Sequence, residues 1–598
     1  MILTPCKGGL VRKATPLALS LCLYSTDVKM VDNDEVLRHI GGFGTYQRRL
    51  CLLLSLTAIP YAGHMLAMAF LGAKPPHHCT VEGLENITVR FGEDDGLRLV
   101  FPGTTENGVW TMSSCKRYDL TSVPVDDMDP WNTTGLPEVP CDHGWWYDTS
   151  RFKTSVTMEH DLVCGRKWMG SLAQSIFMVG VLLGAVIFGD LSDRFGRKKI
   201  YFLSLFIMLV FGVSTAFAHN YWLFVFLRMI IGATNSGVFL TAFVLASELV
   251  SPDHRTLISM FLVIFFGVGG MILSLVAYLI RYWEWLQLAI SLPNVLFIMV
   301  YWWVINESPR WLLANNQKDK AVEIFRKVAD ANKKDIPEGL FEEEGKTDGG
   351  KTDGEPKSRH NLIDLVRTPN VRRKSLIMFY AWFVAGFVFY GLALNATNLA
   401  GNPYLNFFVS CAVEIPAYIL AKICMDRSVY TLPECLFLHR IGRRWSLLAF
   451  LLVAGLSTFC IMFIPVAYSK AITVLAVIGK FGAAGCFGTI YVFATEIFPT
   501  VVRNVGVGAS SMCARIGAIV APFVFLLHDV WSPLPYITSG TLALVAAGLV
   551  LLLPETLGTK LPQSLQESEN FTRKTAQASN SEAPKDDEAA DLTAETKV

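Results

Sequence analysis

Twelve apolar stretches, each about as long as a bilayer-spanning helix, constrain the fold of this chain more than any other feature. They cover residues 50–73, 168–189, 200–218, 221–246, 257–280, 285–305, 374–394, 404–424, 446–467, 471–495, 507–527 and 535–553. In hydrocarbon, backbone amides have no water to bond, so each stretch must satisfy them internally as a helix. The sequence therefore predicts an all-α membrane protein with twelve transmembrane helices.

The arrangement of charge predicts which way the chain faces. The net charge is only +1, so the overall balance points to no nucleic-acid or acidic partner. An even number of spans places both termini on one side of the membrane. Basic residues follow the second span and precede the ninth, which predicts that this side is cytosolic. They are Arg194, Arg197, Lys198 and Lys199, then Arg440, Arg443 and Arg444. We expect a multi-pass protein of the plasma membrane.

The segment between the first two spans, residues 74–165, has features of an extracellular loop. It is acidic, with 15 Asp or Glu against 7 Lys or Arg. It contains two glycosylation sequons, at Asn86 and Asn132, which suit a secreted environment. Its four cysteines predict disulfides, but four cysteines allow three pairings that sequence alone does not separate. They are Cys79, Cys115, Cys141 and Cys164.

The spans and polar segments divide the chain into five parts. We predict an N-terminal extension over residues 1–29, a six-helix bundle over 30–305 that includes the loop, a cytosolic linker over 306–373, a second six-helix bundle over 374–555, and a disordered cytosolic tail over 556–598. In the linker, apolar residues recur at helical spacing between Lys318 and Lys333, which predicts an amphipathic helix at the membrane surface.

One nucleotide-site pattern is discounted. Residues Gly345 to Thr352 fit the phosphate-loop pattern, but they belong to a tandem Gly-Lys-Thr-Asp-Gly repeat with no strand before it and no helix after it. We therefore expect no cofactor, no metal site and no enzymatic activity.

A charged motif lies in the short turn between the second and third spans. It reads Gly189-Asp-Leu-Ser-Asp193-Arg194-Phe-Gly196-Arg197-Lys198-Lys199. A glycine lets helix ends approach closely, and an aspartate offers its charge to a neighbouring helix terminus. This spacing resembles the signature of the major facilitator family, in which the arginines hold an inner gate.

Further strings narrow the resemblance to the organic cation, carnitine and organic anion transporters, over most of Met30 to Pro562. These strings are Ile40-Gly-Gly-Phe-Gly-Thr-Tyr46-Gln47, Asp161-Leu-Val-Cys164, Glu307-Ser-Pro-Arg310-Trp311, Gly479-Lys480-Phe481, Tyr491-Val-Phe-Ala-Thr-Glu496, Arg503-Asn504 and Pro554-Glu555-Thr556. The resemblance implies two six-helix bundles around a central cavity, with a small charged organic solute held near the bilayer midplane and moved by alternating access. We expect a monomeric transport unit.

Acid and base residues at cytosolic helix ends are candidates for gate latches. We predict three pairs: Glu248 with Arg255, Glu307 with Arg310, and Glu496 with Arg503. The alternative is ordinary interfacial charge solvated by water and headgroups. In the second half, the extra segment Ser428 to Arg440 interrupts the expected Asp-Arg-x-Gly-Arg-Arg motif, so we expect it to perturb the gate there.

Charges inside spans are candidates for the substrate site, because each is costly in lipid unless it lines a cavity or finds a partner. They are Arg228, Glu414, Lys480 and Arg515. Glu414 and Arg515 lie at similar depth, which allows them to pair.

The identity of residue 515 bears on the substrate. In the family that the chain resembles, cation carriers have an aspartate here, whereas anion and carnitine carriers have an arginine. Because a guanidinium binds a carboxylate with two parallel hydrogen bonds, Arg515 favours a carboxylate-bearing substrate. We expect a carnitine-like zwitterion, with its quaternary ammonium on the faces of Phe389 and Tyr390. The alternatives are a structural pair of Arg515 with Glu414 and plain packing of the two aromatic rings.

Several other functions stay open at this level. The C-terminal Thr596-Lys597-Val598 resembles a PDZ-domain ligand, with a bare chain end as the alternative. Within transport, we expect a polyspecific carrier of organic cations or carnitine-like zwitterions, with an organic anion carrier and a sugar-type porter as alternatives. Outside transport, the chain could be a sensor that binds solute and signals through its tail.

Overall fold

The computed structural model describes residues 33–106, 109–120, 136–335, 363–425, 442–557, 559 and 562–570. Within these residues, eleven helical segments are long and apolar enough to cross a membrane, and a shorter apolar helix completes the predicted set of twelve. In chain order, spans 1–12 are Thr45–Leu71, Cys164–Phe195, Arg197–Thr215, Tyr221–Glu248, Leu257–Leu279, Trp283–Val304, Pro369–Asn398, Pro403–Met425, Gly442–Phe463, Ser469–Ile497, Arg503–Asp529 and Leu534–Val550. The predicted all-α class and span number are confirmed.

Prolines explain where three spans are interrupted. The helix of span 1 restarts at Ala58, that of span 6 at Pro293 and that of span 8 at Glu414. Each restart lies at or just before a proline, namely Pro60, Pro293 and Pro416. Proline has no N–H to donate and its ring crowds the preceding turn, so the helical hydrogen-bond ladder breaks there. In span 8 this break places Glu414 at the start of a new helical segment.

The segment between spans 1 and 2 folds into short hairpins and helices. Three two-stranded antiparallel sheets pair β1 (His77–Cys79) with β6 (Trp145–Tyr147), β2 (Gly103–Glu106) with β3 (Val109–Met112), and β4 (Lys116–Tyr118) with β5 (Glu138–Pro140). Its helices are Leu84–Phe91, Glu93–Val100 and Val156–Glu159. We call the membrane face that carries this segment the loop face, and the opposite face, which carries the segment between spans 6 and 7, the linker face.

The amphipathic helix predicted in the linker is present as Lys318–Asn332. Its apolar side chains, including Phe325 and Val328, are buried against the short helix Asn33–His39 that precedes span 1. Asn332 at its end donates to the carbonyl of Ile40 and accepts from the amide of Tyr46. The linker is therefore docked on the first half of the molecule. The other described linker helices are Pro309–Ala314 and Asp364–Arg367.

Close helix packing within each half relies on glycine. In the first half, a Cβ added at Gly180 would lie 2.1 Å from the carbonyl oxygen of Met229, so spans 2 and 4 touch backbone to backbone. In the second half, a Cβ at Gly386 would lie 2.1 Å from the carbonyl oxygen of Ala514, so spans 7 and 11 do the same. Small residues at such crossings are typical of helix packing in membranes.

Candidate substrate-binding site

A fully buried ion pair lies in the second half of the molecule. Lys480 Nζ of span 10 is 3.0 Å from Glu414 Oε1 of span 8, and both side chains are shielded from solvent. Lys480 Nζ also donates to the Phe389 carbonyl at 3.2 Å and lies 3.0 Å from the centre of the Phe389 ring. Each charge thus offsets the desolvation of the other, as intramembrane charges require.

Arg515 does not make the predicted pair with Glu414. Its Nη1 instead donates to the carbonyl and hydroxyl oxygens of Ser511, one turn earlier in span 11. Span 11 packs against spans 2 and 7, whereas span 8 packs against spans 5 and 10, so Lys480 is the cation that reaches Glu414. The side chain of Arg515 is half-buried, and its Nε has no acceptor among the described residues.

Aromatic rings form a continuous row from the first half to the second. Phe389, predicted as a substrate contact, is its central member and touches the neighbouring ring of Tyr390 at 5.2 Å between centroids. The other steps are Phe239 to Tyr61 at 4.9 Å, Tyr61 to Phe266 at 5.7 Å, Phe266 to Phe389 at 6.3 Å, and Phe389 to Phe487 at 5.1 Å.

This row passes close to the intramembrane charges. Lys480 stands over Phe389. Ala514, the neighbour of Arg515, touches the backbone of span 7 at Gly386, about one turn before Phe389 and Tyr390. The structure therefore brings all five predicted substrate residues into one region between the two halves. Sequence reasoning missed Tyr61 and the other aromatic members from spans 4, 5 and 10, because aromatic residues inside apolar helices resemble ordinary core.

A charged cluster surrounds Arg197 at the linker end of the first half. Arg197 bonds Glu248 through Nε at 3.1 Å and Nη2 at 3.2 Å, and it pairs with Asp193 at 2.9 Å. Glu307 accepts from the Arg197 amide at 2.9 Å and from the following amide. Gly196 has φ of +105°, and a Cβ there would lie 2.5 Å from Glu307 Oε2, so the carboxylate reaches the helix start only over glycine.

The second half repeats this cluster around Arg443. Arg443 pairs with Glu496 at 3.2 Å, and Glu555 accepts from the Arg443 amide at 2.9 Å. Gly442 has φ of +82°, and a Cβ there would lie 2.5 Å from Glu555 Oε2. The cluster forms although the chain carries the predicted insertion just before it; residues 426–441 themselves lie outside the described residues.

The three predicted latch pairs are wrong in their partners. Arg255 pairs with Asp34 at 2.6 Å, Arg503 donates to the Phe498 carbonyl and to Thr500, and Arg310 is exposed. Proximity along the chain misled the prediction, because the partners of these glutamates lie far away in sequence. Glu248 and Glu307 are bound by Arg197, and Glu496 is bound by Arg443. Of the remaining motif residues, Arg194 forms an exposed pair with Asp190 at 2.9 Å. Gly189 faces Leu240 across spans 2 and 4.

Contacts between the two halves lie toward the loop face. Lys167 pairs with Asp529 at 2.8 Å, the Tyr404 hydroxyl donates to the Arg151 carbonyl at 2.9 Å, and Ser175 donates to the Ile519 carbonyl at 2.7 Å. Among the described residues we find no hydrogen bond or ion pair that joins the halves at the linker face. The clusters around Arg197 and Arg443 each lie within one half. The site is therefore closed toward the loop face.

The loop between spans 1 and 2 contains both predicted disulfides. Cys79 is bonded to Cys141, and Cys115 to Cys164, which resolves the three alternatives. The sequon residue Asn86 is exposed on the helix Leu84–Phe91, and Asn132 lies outside the described residues.

Comparison with known proteins identifies a matching family model and several similar proteins. A family model described as "Sugar (and other) transporter" matches residues 147–566. The organic cation transporter protein of Drosophila melanogaster is 42% identical over 91% of this chain and 95% of its own length. Solute carrier family 22 member 2 of Homo sapiens is 34% identical over 90% of this chain and 95% of its own length.

Solved structures show the same fold. The xylose transporter XylE from E. coli, in a partially occluded inward open conformation, superposes with a TM-score of 0.55 at 14% identity, over 86% of this chain and 100% of that one. The family consists of transporters and not of enzymes, and its members are multi-pass proteins of the plasma membrane. The chain is thus a membrane transporter that belongs to the organic cation transporter family, solute carrier family 22, within the major facilitator superfamily.

Proposed function

We propose that this transporter carries carnitine-like zwitterions, with the substrate carboxylate on Arg515 and its quaternary ammonium against the aromatic row. One observation carries the proposal. Lys480 already neutralises Glu414, so the positive charge of Arg515 is left without a carboxylate among the described residues of the site. A guanidinium with a free Nε can bind a carboxylate through two parallel bonds.

The aromatic row suits the other end of such a substrate. A quaternary ammonium has no N–H to donate, so it is held by ring faces rather than by hydrogen bonds, with a gain of about 0.5–2 kcal/mol per ring. Phe389 presents one face to Lys480, and its neighbour Tyr390 and the half-buried Phe487 extend the surface. We expect the unbalanced positive charge of Arg515 to disfavour solutes that are cations only.

Three other substrate classes and a non-transporting sensor are the alternatives that the experiment must separate. The names of relatives, such as organic cation transporter protein, favour plain organic cations, which the aromatic row would also accept. Organic anions would use Arg515 alone. A sugar-type porter would bind neither organic cations nor organic anions. A sensor would bind its solute without transporting it.

Uptake into cells separates these possibilities. We would measure labelled carnitine, tetraethylammonium, hippurate and glucose in cells that express the wild type, Arg515→Gln or Arg515→Lys, corrected for surface protein. We expect carnitine uptake to fall at least tenfold in Arg515→Gln and to be only partly retained in Arg515→Lys. Lysine keeps the positive charge but cannot bind a carboxylate through two parallel hydrogen bonds. Arg326→Gln, on the exposed face of the linker helix, is the matched control. Normal carnitine uptake by Arg515→Gln would refute the assignment.

We further propose that transport alternates between this state and one in which the loop face opens and the linker face closes, with the clusters around Arg197 and Arg443 bracing each half as it moves. The loop face would be extracellular and both termini cytosolic, which the two disulfides and the exposed Asn86 support. Loss of a glycosidase-sensitive mass shift in a variant lacking both sequons, and protease protection of terminal tags in intact cells, test this orientation.

Two partner assignments complete the proposal. Both halves of one chain contribute to the aromatic row, which supports a monomeric transport unit. The C-terminal Val598, outside the described residues, would bind a PDZ scaffold, and deletion of the last three residues should abolish that binding without changing uptake in isolated vesicles.

A further inference from the structure

A second buried cation lies in the first half, away from the substrate region. Arg228 is seven residues into span 4 and is fully buried. Its Nη1 donates to the His64 carbonyl at 3.3 Å, its Nη2 to Gln174 Oε1 at 3.4 Å, and its guanidinium carbon stands 4.3 Å from the centre of the Phe177 ring. All of these neighbours are neutral acceptors or an aromatic face.

No carboxylate among the described residues offsets this charge. Glu414 is the one fully buried acidic side chain in the described part of the chain, and it is paired with Lys480 in the other half. Arginine keeps its proton even when buried, so the charge does not disappear by titration. An uncompensated buried ion costs several kcal/mol. The first half therefore contains a positive charge that the described protein groups do not balance.

The same region also has a surplus of hydrogen-bond donors. Arg228 Nε, Gln174 Nε2 and the ring of His64, which as a neutral imidazole has one N–H to donate, are buried and have no partner among the described residues. Arg228 bonds to the side-chain oxygen of Gln174 and to the backbone carbonyl of His64, so the three residues are neighbours. Buried donors without acceptors, gathered around a cation, are the complement of an anion.

We propose that a small monovalent inorganic anion, of the size of chloride, binds between Arg228, Gln174 and His64. A single positive charge favours a single negative one. Space at this crossing of spans 2 and 4 is limited, since a Cβ added at Gly232, one turn after Arg228, would lie 2.2 Å from the Phe177 carbonyl oxygen. A polyatomic organic anion does not suit such a closed helix crossing. The anion stabilises the folded first half, and the site is separate from the one proposed for the substrate.

Thermal unfolding of the purified full-length protein tests the site. We would titrate chloride against gluconate at constant ionic strength, with no organic substrate present. An anion that binds only the folded state raises the melting temperature with increasing concentration. We expect a saturable rise with chloride and with bromide in the wild type, the same rise in Arg515→Gln, and none in Arg228→Gln.

Arg515→Gln is the decisive control, because it removes the unbalanced cation of the proposed substrate site and leaves Arg228 in place. If chloride fails to stabilise the wild type, or if its effect survives in Arg228→Gln or disappears in Arg515→Gln, the proposal is wrong. Should Arg228→Gln not fold, Gln174→Leu takes its place. Loss of one hydrogen bond to the ion should raise the half-saturating chloride concentration about tenfold or more, and an unchanged concentration would overturn the proposal. None of these outcomes depends on which organic solute is carried.

Discussion

Lys480 Nζ lies 3.0 Å from Glu414 Oε1, with neither side chain open to solvent, and this pair determines which charge is left for the substrate. Were Glu414 bound to Arg515, the site would offer a free ammonium on Lys480. As it stands, the site offers a guanidinium.

The ion pair gives the first prediction. Lys480→Met should lower the free energy of unfolding by about 3–5 kcal/mol, because it leaves the buried carboxylate of Glu414 without a cationic partner. The double variant Lys480→Met with Glu414→Leu should recover most of that loss, since similar apolar volume replaces both charges. Lys470→Met, at the exposed start of the same helix, is the control. Thermal unfolding in detergent measures all three, and a double variant as unstable as the single one would contradict the pairing.

The repeated clusters at the linker face give the second prediction. Arg197→Gln and Arg443→Gln should each destabilise the protein by about 2–3 kcal/mol, because each leaves partly buried glutamates without their cation. Arg194→Gln should change stability by less than about 1 kcal/mol, since its pair with Asp190 is exposed. Melting temperatures and surface expression report the difference. Equal effects of Arg194→Gln and Arg197→Gln would argue against the bracing role.

The disulfides give the third prediction. Removing Cys79 and Cys141 together should cost no more than removing either alone, about 2–4 kcal/mol, because either change breaks the same bond. Removing Cys79 and Cys115 together should cost clearly more, because that change breaks both bonds. Unfolding under non-reducing conditions tests this. The prediction would be contradicted if mass spectrometry of unreduced peptides found Cys79 joined to Cys115 or to Cys164.

Helix packing between the halves gives the fourth prediction. A Cβ at Gly270 of span 5 would lie 2.5 Å from Cys411 Sγ of span 8, so Gly270→Val should wedge the halves apart near the loop face. Spin labels placed at Lys167 and Asp529 should then report a longer distance population than in the parent protein. Gly548→Val, where an added Cβ meets nothing within 4 Å, is the matched control. An unchanged distance distribution in Gly270→Val would refute the closed loop face as described.

Two histidines near the loop face give the fifth prediction. Burial lowers the pKa of His160, and burial also lowers the pKa of His77. Both rings are thus held neutral in the folded state, while the unfolded chain takes up protons below about pH 6.5. Stability present above that pH should therefore be lost as the pH falls toward 5. Replacing both histidines with asparagine should flatten the pH profile of the melting temperature, whereas His143→Asn, an exposed site, should leave it steep.

Sequence reasoning located the charges but not their partners. Hydropathy alone placed Glu414, Lys480 and Arg515 inside spans, and the structure has them there. Which of them meet depends on how spans 8, 10 and 11 are rotated about their axes, and helices that are apolar on almost every side leave that rotation undetermined. The latch pairs failed for a related reason, because Glu307 reaches the start of a helix more than a hundred residues earlier in the chain.

The disulfides illustrate the same limit. The loop environment predicted that Cys79, Cys115, Cys141 and Cys164 are oxidised, yet their pairing follows from strand partners far apart in sequence. β1 pairs with β6, which brings Cys79 close to the segment that carries Cys141. Composition specifies an environment, whereas pairing requires the register of the hairpins.

The bond from Arg443 Nη1 to the Met425 carbonyl, at 2.9 Å, ties the end of span 8 to the start of span 9. The equivalent bond in the first half joins Arg197 to Ser192 across a turn of only a few residues. The two helix ends are thus fastened to each other by side chain and backbone, independently of how much polypeptide connects them. We therefore expect the length of the connecting peptide to matter little, so that insertions at this junction leave the bond between the two helix ends in place.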